Sequence, residues 1–451
     1  MSARRGPLTL TRFFVKGAPP KDLRKRYVQA IRARVFEPLK PEDEPTEASG
    51  WCVMDRPFDL ELDAGNVFED RFVLLGFRID RFRIPGSIVR AQLADEEQRL
   101  LARTGKNRLS RNERLEIKDK IVLRLRKRLP PSTRCLDMIW DLDAGVVLFF
   151  SHSKRTLADF SALFEKTFGL ELDEDSPYLA AQRAGLPARL VQALEAVEPL
   201  SFSSARKTLA GSNGAEAGPD GAEDAEAESE RGADAEPEDA LSARIETTRF
   251  LGPEFLLWIW LRNEFVTEGV ELADGQSFHV WLDRQLVLES PIDRNERVTI
   301  RGAAPADGSE AREALGSQKF PVRARIVLQG VERDFATGLD APRFAISGGT
   351  IPAVLTSEAS EAFLERMALA EQLFSALDTL YAVFLRDRLS DDWRSAWQPS
   401  ILAWIEGKNV PPALLQAMQP KTKPRQRTRG AKGRASERAQ PPVSSLRSSA
   451  S

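Results

Sequence analysis

The sequence predicts an α+β protein with antiparallel sheets and packed helices, arranged as two modules joined by a disordered acidic linker. Segments of alternating apolar residues, several of them joined by hairpin signals, are interleaved with segments of helical periodicity. This arrangement is typical of an α+β fold rather than of a parallel wound sheet. Residues 211–240 contain eleven acids and one Arg. They lack periodic apolar residues and cannot offset their ordering entropy by burial, which predicts a linker.

Length and charge define four segments. A chain of 451 residues is long enough for two or three compact units. We expect an N-terminal module at 1–205, the acidic linker at 206–241, a C-terminal module at 242–408 and a disordered basic tail at 409–451. The net charge of −2 conceals opposed blocks, because the tail after residue 419 carries nine Lys or Arg and one Glu. Such asymmetry bears on the binding partners of a protein rather than on its fold.

Local patterns predict the first elements of the N-terminal module. Residues 19–36 fit a helix whose apolar face comprises Leu23, Tyr27, Ile31 and Val35. Residues 71–80 alternate as a strand does, with one face formed by Val73, Leu75, Phe77 and Ile79. We expect Ser87 to cap the next helix, which runs to about Arg103 and is ended by Gly105.

A basic helix is expected next, because residues 107–129 hold nine Lys or Arg against three acids. Ser110 and Glu113 have the spacing of a capping box. The apolar residues fall within about half of a helical wheel and are Leu115, Ile117, Ile121, Val122, Leu125 and Leu129. A ridge on the opposite side comprises Lys120, Arg124 and Lys127.

The rest of the N-terminal module is predicted to be a hairpin and a helix. The strands 135–142 and 145–151 are joined through Asp143-Ala144-Gly145, a hairpin signal. A final helix covers about 155–168.

The C-terminal module is expected to open with a short strand and the apolar helix 252–265. Strands at 276–283 and 320–330 follow, and then a long helix at about 357–388. Its apolar seam has heptad spacing and comprises Phe363, Met367, Ala370, Phe374, Leu377, Tyr381 and Phe384. Such a seam packs on another helix, either within the chain or in a second subunit.

Several classes of protein are disfavoured by what the sequence lacks. With only His152 and His279, histidine-based metal sites and catalytic triads have little material, and both residues are expected to be structural. Cys52 and Cys135 cannot build a disulfide framework or a thiolate metal site alone. The sequence has no phosphate-cradling glycine loop, no secretory signal and no run of about 20 apolar residues. We therefore expect a cytoplasmic protein without cofactor or membrane association.

Five segments occur in a characteristic order within residues 8–170. They are Gly50-Trp51, "IPGSIV" (84–89), "RLSRNERLEIKDKI" (108–121), "IWDLDAGVVLF" (139–149) and "SKRTLADFSALFEKTFGLEL" (153–172). In these segments the chain resembles the recombination-associated protein RdgC family of bacterial DNA-binding proteins, whereas the C-terminal half is only weakly similar to it. The motif positions in the third segment are Arg108, Leu109, Glu113, Lys118 and Asp119.

The resemblance implies a non-catalytic, nucleoid-associated homodimer. Members of the family form a ring whose basic inner surface surrounds double-stranded DNA without sequence preference, and they restrain the RecA recombinase. By motif position, the resemblance implies DNA contacts at Arg108, Lys118 and Arg128. The basic ridge and local charge add Arg111, Lys120, Arg124, Arg126 and Lys127. Pro130 stands where the family has an aromatic dimer contact, so either Leu129 serves there or the ring closes differently.

Two other functions remain open. Glu116-Ile117-Lys118 has the pattern that ends a restriction-type nuclease motif, in which acids hold a divalent metal. Such motifs occupy strands, whereas Glu116 and Lys118 fall in the predicted helix. The second function is that of an interaction module whose basic helix binds an acidic protein or RNA.

Overall fold

The computed structural model describes residues 3–43, 45–202, 237–266, 269–271, 277–293, 295–302 and 309–418. The core of the predicted acidic linker and the chain after residue 418 lie outside the described residues, so their predicted disorder stays a prediction. Within the described ranges the α+β class and the antiparallel sheet are confirmed.

Within the described ranges, thirteen strands form one sheet in the order β10-β9-β11-β12-β13-β1-β6-β5-β4-β2, with β3 paired to β4, β7 to β1 and β8 to β9. The strands are β1 (Leu8–Lys16), β2 (Glu47–Cys52), β3 (Phe68–Glu69), β4 (Phe72–Arg81), β5 (Ser132–Asp141), β6 (Val146–Phe149), β7 (Glu171–Glu174), β8 (Val270–Glu271), β9 (Ser277–Glu289), β10 (Arg297–Arg301), β11 (Phe320–Gln329), β12 (Asp334–Asp340) and β13 (Ala345–Thr350).

Strand β1 joins the strands of the two predicted modules. Its beginning pairs with β13 and its second half pairs with β6, so the sheet is continuous from one half of the chain to the other. The Nε2 atom of His152 lies 3.1 Å from the carbonyl oxygen of Leu10 and 2.9 Å from that of Ile346, at the same junction. The module boundaries themselves remain a prediction.

The helices cover both faces of the sheet. They are α1 (Leu23–Arg32), α2 (Ala64–Val67), α3 (Gly86–Thr104), α4 (Arg111–Arg128), α5 (Lys154–Phe168), α6 (Pro177–Arg183), α7 (Ala188–Glu195), α8 (Pro237–Thr247), α9 (Leu251–Phe265), α10 (Ser309–Gly316), α11 (Ala359–Arg388), α12 (Gln398–Ile405) and α13 (Pro412–Met418). Helix α8 stands where the C-terminal module was expected to open with a strand, so that prediction is wrong. Helix α13 lies inside the segment predicted as a disordered tail.

The helices α1, α3, α4, α5, α9 and α11 lie in the segments where local signals predicted helices, with one cap misplaced. Gly105 ends α3 in the left-handed conformation, at φ 64°, as expected. The predicted cap at Ser87 is wrong, because α3 begins at Gly86 with Pro85 in the N-cap position and no side-chain cap. Proline fixes φ near its helical value and can open a helix in this way.

Two large cores lie on opposite faces of the sheet. One is aromatic and lies under α1 and α5, where Phe149 stacks on Phe160 at 3.9 Å between ring centroids. The other contains α9 and the seam of α11. The predicted seam residues are all buried, which places the seam within the chain's own core.

Helix α11 is the one helix of the described ranges that is long and apolar enough to cross a membrane. Its most apolar window is 56% buried inside the fold, as a core helix would be.

Candidate nucleic-acid interface

Helices α3 and α4 form a hairpin with a small core of its own. Leu93 of α3 packs against Ile121 and Leu125 of α4, and Ile84, Val89 and Ile117 are partly buried around them. This cluster is separate from the two large cores. The hairpin therefore presents most of its surface to solvent.

The start of α4 is set by its own sequence. The Ser110 amide donates to Glu113 Oε2 at 2.8 Å, and the Glu113 amide donates to Ser110 Oγ at 3.2 Å. This is the predicted capping box, which is confirmed. The bond from Lys106 and those from Ser110 lower the pKa of Glu113 to about 2. The carboxylate is thus ionised at neutral pH.

The buried stripe of α4 is narrower than the predicted apolar face. Ile121 and Leu125 are buried, and Ile117 and Val122 are half-buried. Leu115 is 47% exposed and Leu129 is 37% exposed, so these two assignments to the inner face are wrong. The reason is that, among the described helices, α3 alone packs along α4, and one neighbour covers about one i, i+4 stripe.

Three of the eight predicted DNA contacts already have partners within the protein. Arg124 lies 3.4 Å from Glu96 of α3, and Lys127 lies 2.9 Å from Glu42. Arg126 is half-buried, donates to the carbonyl oxygen of Asp43 at 2.8 Å and lies over the ring of Phe82. Arg126 therefore anchors the hairpin to a surface loop.

The other five predicted contacts are exposed and form no ion pair with any residue that the structure describes. They are Arg108, Arg111, Lys118, Lys120 and Arg128. Residues 86–129 carry thirteen Lys or Arg and six Asp or Glu, a net charge of +7 in a chain whose total is −2. The hairpin is thus a concentrated source of positive potential.

The predicted dimer contacts lie at the end of this helix. Leu129 is the C-cap of α4, and Pro130 beside it is exposed. Leu123, on the same helix, is 37% exposed. The contact with a second chain stays a prediction.

The residues of the alternative nuclease reading are not brought together. Glu116 and Lys118 are exposed on α4, whereas Asp137 and Asp141 of the following strand are buried in β5. Over the described ranges, no group of three or more His, Cys, Asp or Glu is arranged to hold a metal ion.

The structure adds two arginines that the sequence analysis did not select. Arg83 lies between β4 and α3, and Arg134 lies in β5, soon after α4 ends. They are 51 positions apart and follow no motif. The β4–β5 register, in which Ile79 is opposite Arg134, is what brings their segments together.

Comparison with protein-family models and with curated proteins finds no match to this chain.

Proposed function

We propose that this protein is a non-catalytic, sequence-independent double-stranded DNA-binding protein of the RdgC type. It would bind as a homodimeric ring in the nucleoid and modulate RecA-dependent recombination. The observation that carries the proposal is the group of five exposed Arg and Lys residues on the α3–α4 hairpin that form no ion pair with the described residues. The order of sequence motifs within residues 8–170 supports the choice of family.

The hairpin has the chemistry that phosphate recognition requires. Lys and Arg that lack an internal partner can exchange their counterions for backbone phosphates, which yields affinity that does not depend on sequence. Basic side chains that already form an ion pair within the protein, such as Arg124 with Glu96, contribute less net charge to the surface. The surface therefore favours a polyanion as its ligand.

The experiment is a fluorescence-anisotropy titration of a random-sequence duplex over a salt series. We expect the logarithm of the affinity to fall linearly with the logarithm of the salt concentration, by about 0.9 per phosphate contact. The R108A/R111A variant should reduce the slope by about 2, and K118A/K120A by about 1, because Lys118 and Lys120 lie on nearly opposite sides of α4 and only one of them can face the duplex. The matched control is R301A/R394A, which removes two exposed arginines that have no recorded partner in the described chain and lie in β10 and just before α12.

Two results would contradict the proposal. One is the absence of duplex binding at low salt. The other is binding that is unchanged in both α4 variants and disappears when residues 420–451 are removed, because the basic tail would then carry the affinity.

A protein-interaction module is the second candidate, favoured by the exposed Leu115, Leu123 and Leu129 on the same helix. Exposed apolar side chains in one area are a feature of protein contacts. This reading predicts no duplex binding by the full chain. The nuclease reading predicts instead that duplex is cleaved and that Glu116→Ala or a metal chelator stops the cleavage.

A further inference from the structure

A small cleft lies at the base of the hairpin, where the aromatic-core face of the sheet extends beyond α5. It has a volume of about 100 Å³, which is room for a few water molecules or one phosphate group. Glu47 of β2 is opposite Arg81 of β4, which is opposite Ser132 of β5. The first turn of α5 closes the cleft on the other side.

Four arginines line this cleft, and the acids present neutralise only part of their charge. Glu47 accepts from Arg81 Nε at 2.8 Å and from Arg155 at 2.9 Å, so one carboxylate serves two guanidinium groups. The other acid is Asp159, which lies 3.9 Å from Arg155. Arg83 and Arg134 are exposed and have no hydrogen-bond or ion-pair partner among the residues that the structure describes. The four arginines and two acids leave a charge of +2.

Neutral donors complete the lining. Ser132, Ser153 and Thr156, which carry hydroxyl groups, are among the residues that line the cleft. Ser153 is the N-cap of the fifteen-residue helix α5, and it is bonded by the Thr156 amide. The amides of the first turn of a helix lack intrahelical acceptors, and the helix dipole is positive there. Guanidinium groups, hydroxyls and helix amides are the donors that proteins use for phosphate.

The cleft is continuous with the α3–α4 hairpin. Arg83 lies three residues before α3 begins, and Ser132 lies four residues after α4 ends. An extended polyanion that is bound by the unpaired Arg and Lys residues of α4 would also reach the cleft at the foot of the hairpin. A free phosphate ion would not need this continuity.

We propose that this cleft is a phosphate-binding site that holds one backbone phosphate of the bound duplex, with Arg83 and Arg134 as its principal ligands. The inference rests on the proposed DNA-binding function and adds a fixed anchoring point to it. The two arginines bind the phosphate oxygens through paired N–H groups, while Arg81 and Arg155 stay tied to Glu47. Removal of Arg83 and Arg134 should leave the fold intact, because neither forms a hydrogen bond or ion pair with any residue that the structure describes.

The test compares the full chain with R83A/R134A in the duplex titration over a salt series. We expect the double substitution to reduce the salt slope by about 1 to 2 and to lower the affinity about 10- to 100-fold at 0.1 M salt. The control R301A/R394A removes the same charge from the opposite edge of the sheet and nearby helical surface, and it should change the slope little.

A second variant separates a built site from diffuse attraction. R83K/R134K keeps both charges but loses the planar forks of the guanidinium groups. We expect it to keep most of the slope and to lose affinity several-fold. Affinity equal to that of the unsubstituted chain would overturn the site and leave only a diffuse charge effect.

The remaining outcomes distinguish the two proposals. If the unsubstituted chain binds the duplex and R83A/R134A binds with the same affinity and slope, the cleft is overturned while the DNA-binding function stands. If the unsubstituted chain does not bind the duplex, the proposed function is overturned and the cleft assignment with it.

Discussion

Arg12 in β1 and Asp378 in α11 form a two-pronged ion pair across 366 positions of the chain. Arg12 Nη1 donates to Asp378 Oδ2 at 3.0 Å, and Nη2 donates to Oδ1 at 2.7 Å. The Arg12 side chain is buried, and its Nε donates to the fully buried Asp175 at 3.0 Å. The pair fastens the longest helix of the C-terminal half to a strand of the N-terminal half.

Substitution of Arg12 by Met should lower the free energy of unfolding by about 2–3 kcal/mol, because the buried Asp175 loses one of its two arginine partners and keeps only Arg183. Asp378→Ala should cost only about 1 kcal/mol, because the Asp378 side chain is 51% exposed and Arg12 keeps Asp175. Urea unfolding of both variants measures the difference.

Arg189→Ala is the control for this pair. Arg189 and Asp391 also pair at 2.7 Å, but both are largely exposed, so its removal should change stability by less than about 0.5 kcal/mol. If Asp378→Ala lowered the free energy of unfolding more than Arg12→Met does, the assignment of Arg12 as the buried residue of the pair would be contradicted.

Gly76 of β4 keeps Cys52 and Cys135 in contact across the strand. The two free thiols are 3.6 Å apart at Sγ, and a Cβ at Gly76 would lie 2.7 Å and 2.9 Å from these sulfurs. The contact with Cys135 and burial raise the pKa of the Cys52 thiol, so it stays protonated. We expect Gly76→Ala to destabilise the protein by about 1–3 kcal/mol through overpacking, measured by thermal unfolding.

The cost of Gly76→Ala should fall in a C52A/C135A background, where the sulfur atoms are absent. Gly86→Ala is the matched control, since nothing lies within 4 Å of its added Cβ. An equal loss with and without the cysteines would mean that the backbone, including the Val53 carbonyl oxygen at 3.2 Å, sets the cost.

Asp387 near the end of α11 should make stability depend on pH. Burial raises its pKa to about 6 from an ordinary 3.8, although the Trp258 indole N–H donates to it at 2.9 Å. The folded chain thus binds the proton more tightly than the unfolded chain. The resulting stabilisation is complete below pH 3.8 and is lost as the pH rises through 6.

Asp387→Asn should therefore stabilise the protein by about 1–3 kcal/mol at pH 7.5, because the amide oxygen still accepts from Trp258 without a buried charge. The gain should shrink as the pH falls to 4. Calorimetric melting at both pH values measures it, with the exposed Asp391→Asn as control. A less stable variant at pH 7.5 would show that the ionised carboxylate is favourable where it lies.

The sequence by itself determined the features that depend on neighbouring residues. The α+β class, the limits of α4 and α11, the capping box at Ser110 and the turn at Gly145 all follow from local spacing, because caps and periodic faces involve residues within a few positions of one another. Two predictions from local signals were wrong: the cap at Ser87 and the strand before α9. At both places the local sequence is compatible with more than one conformation, and tertiary packing determines which one forms.

Only the tertiary structure decided which charges of the basic segment are available. Composition counts Arg124, Arg126 and Lys127 like the rest, but α3 and the loop before β2 supply partners to all three. The Arg83–Arg134 cleft and the Arg12–Asp378 pair join residues that are far apart along the chain. Charge interactions and hydrogen bonds depend on distance in space, and that distance is set by strand register and helix packing rather than by separation in sequence.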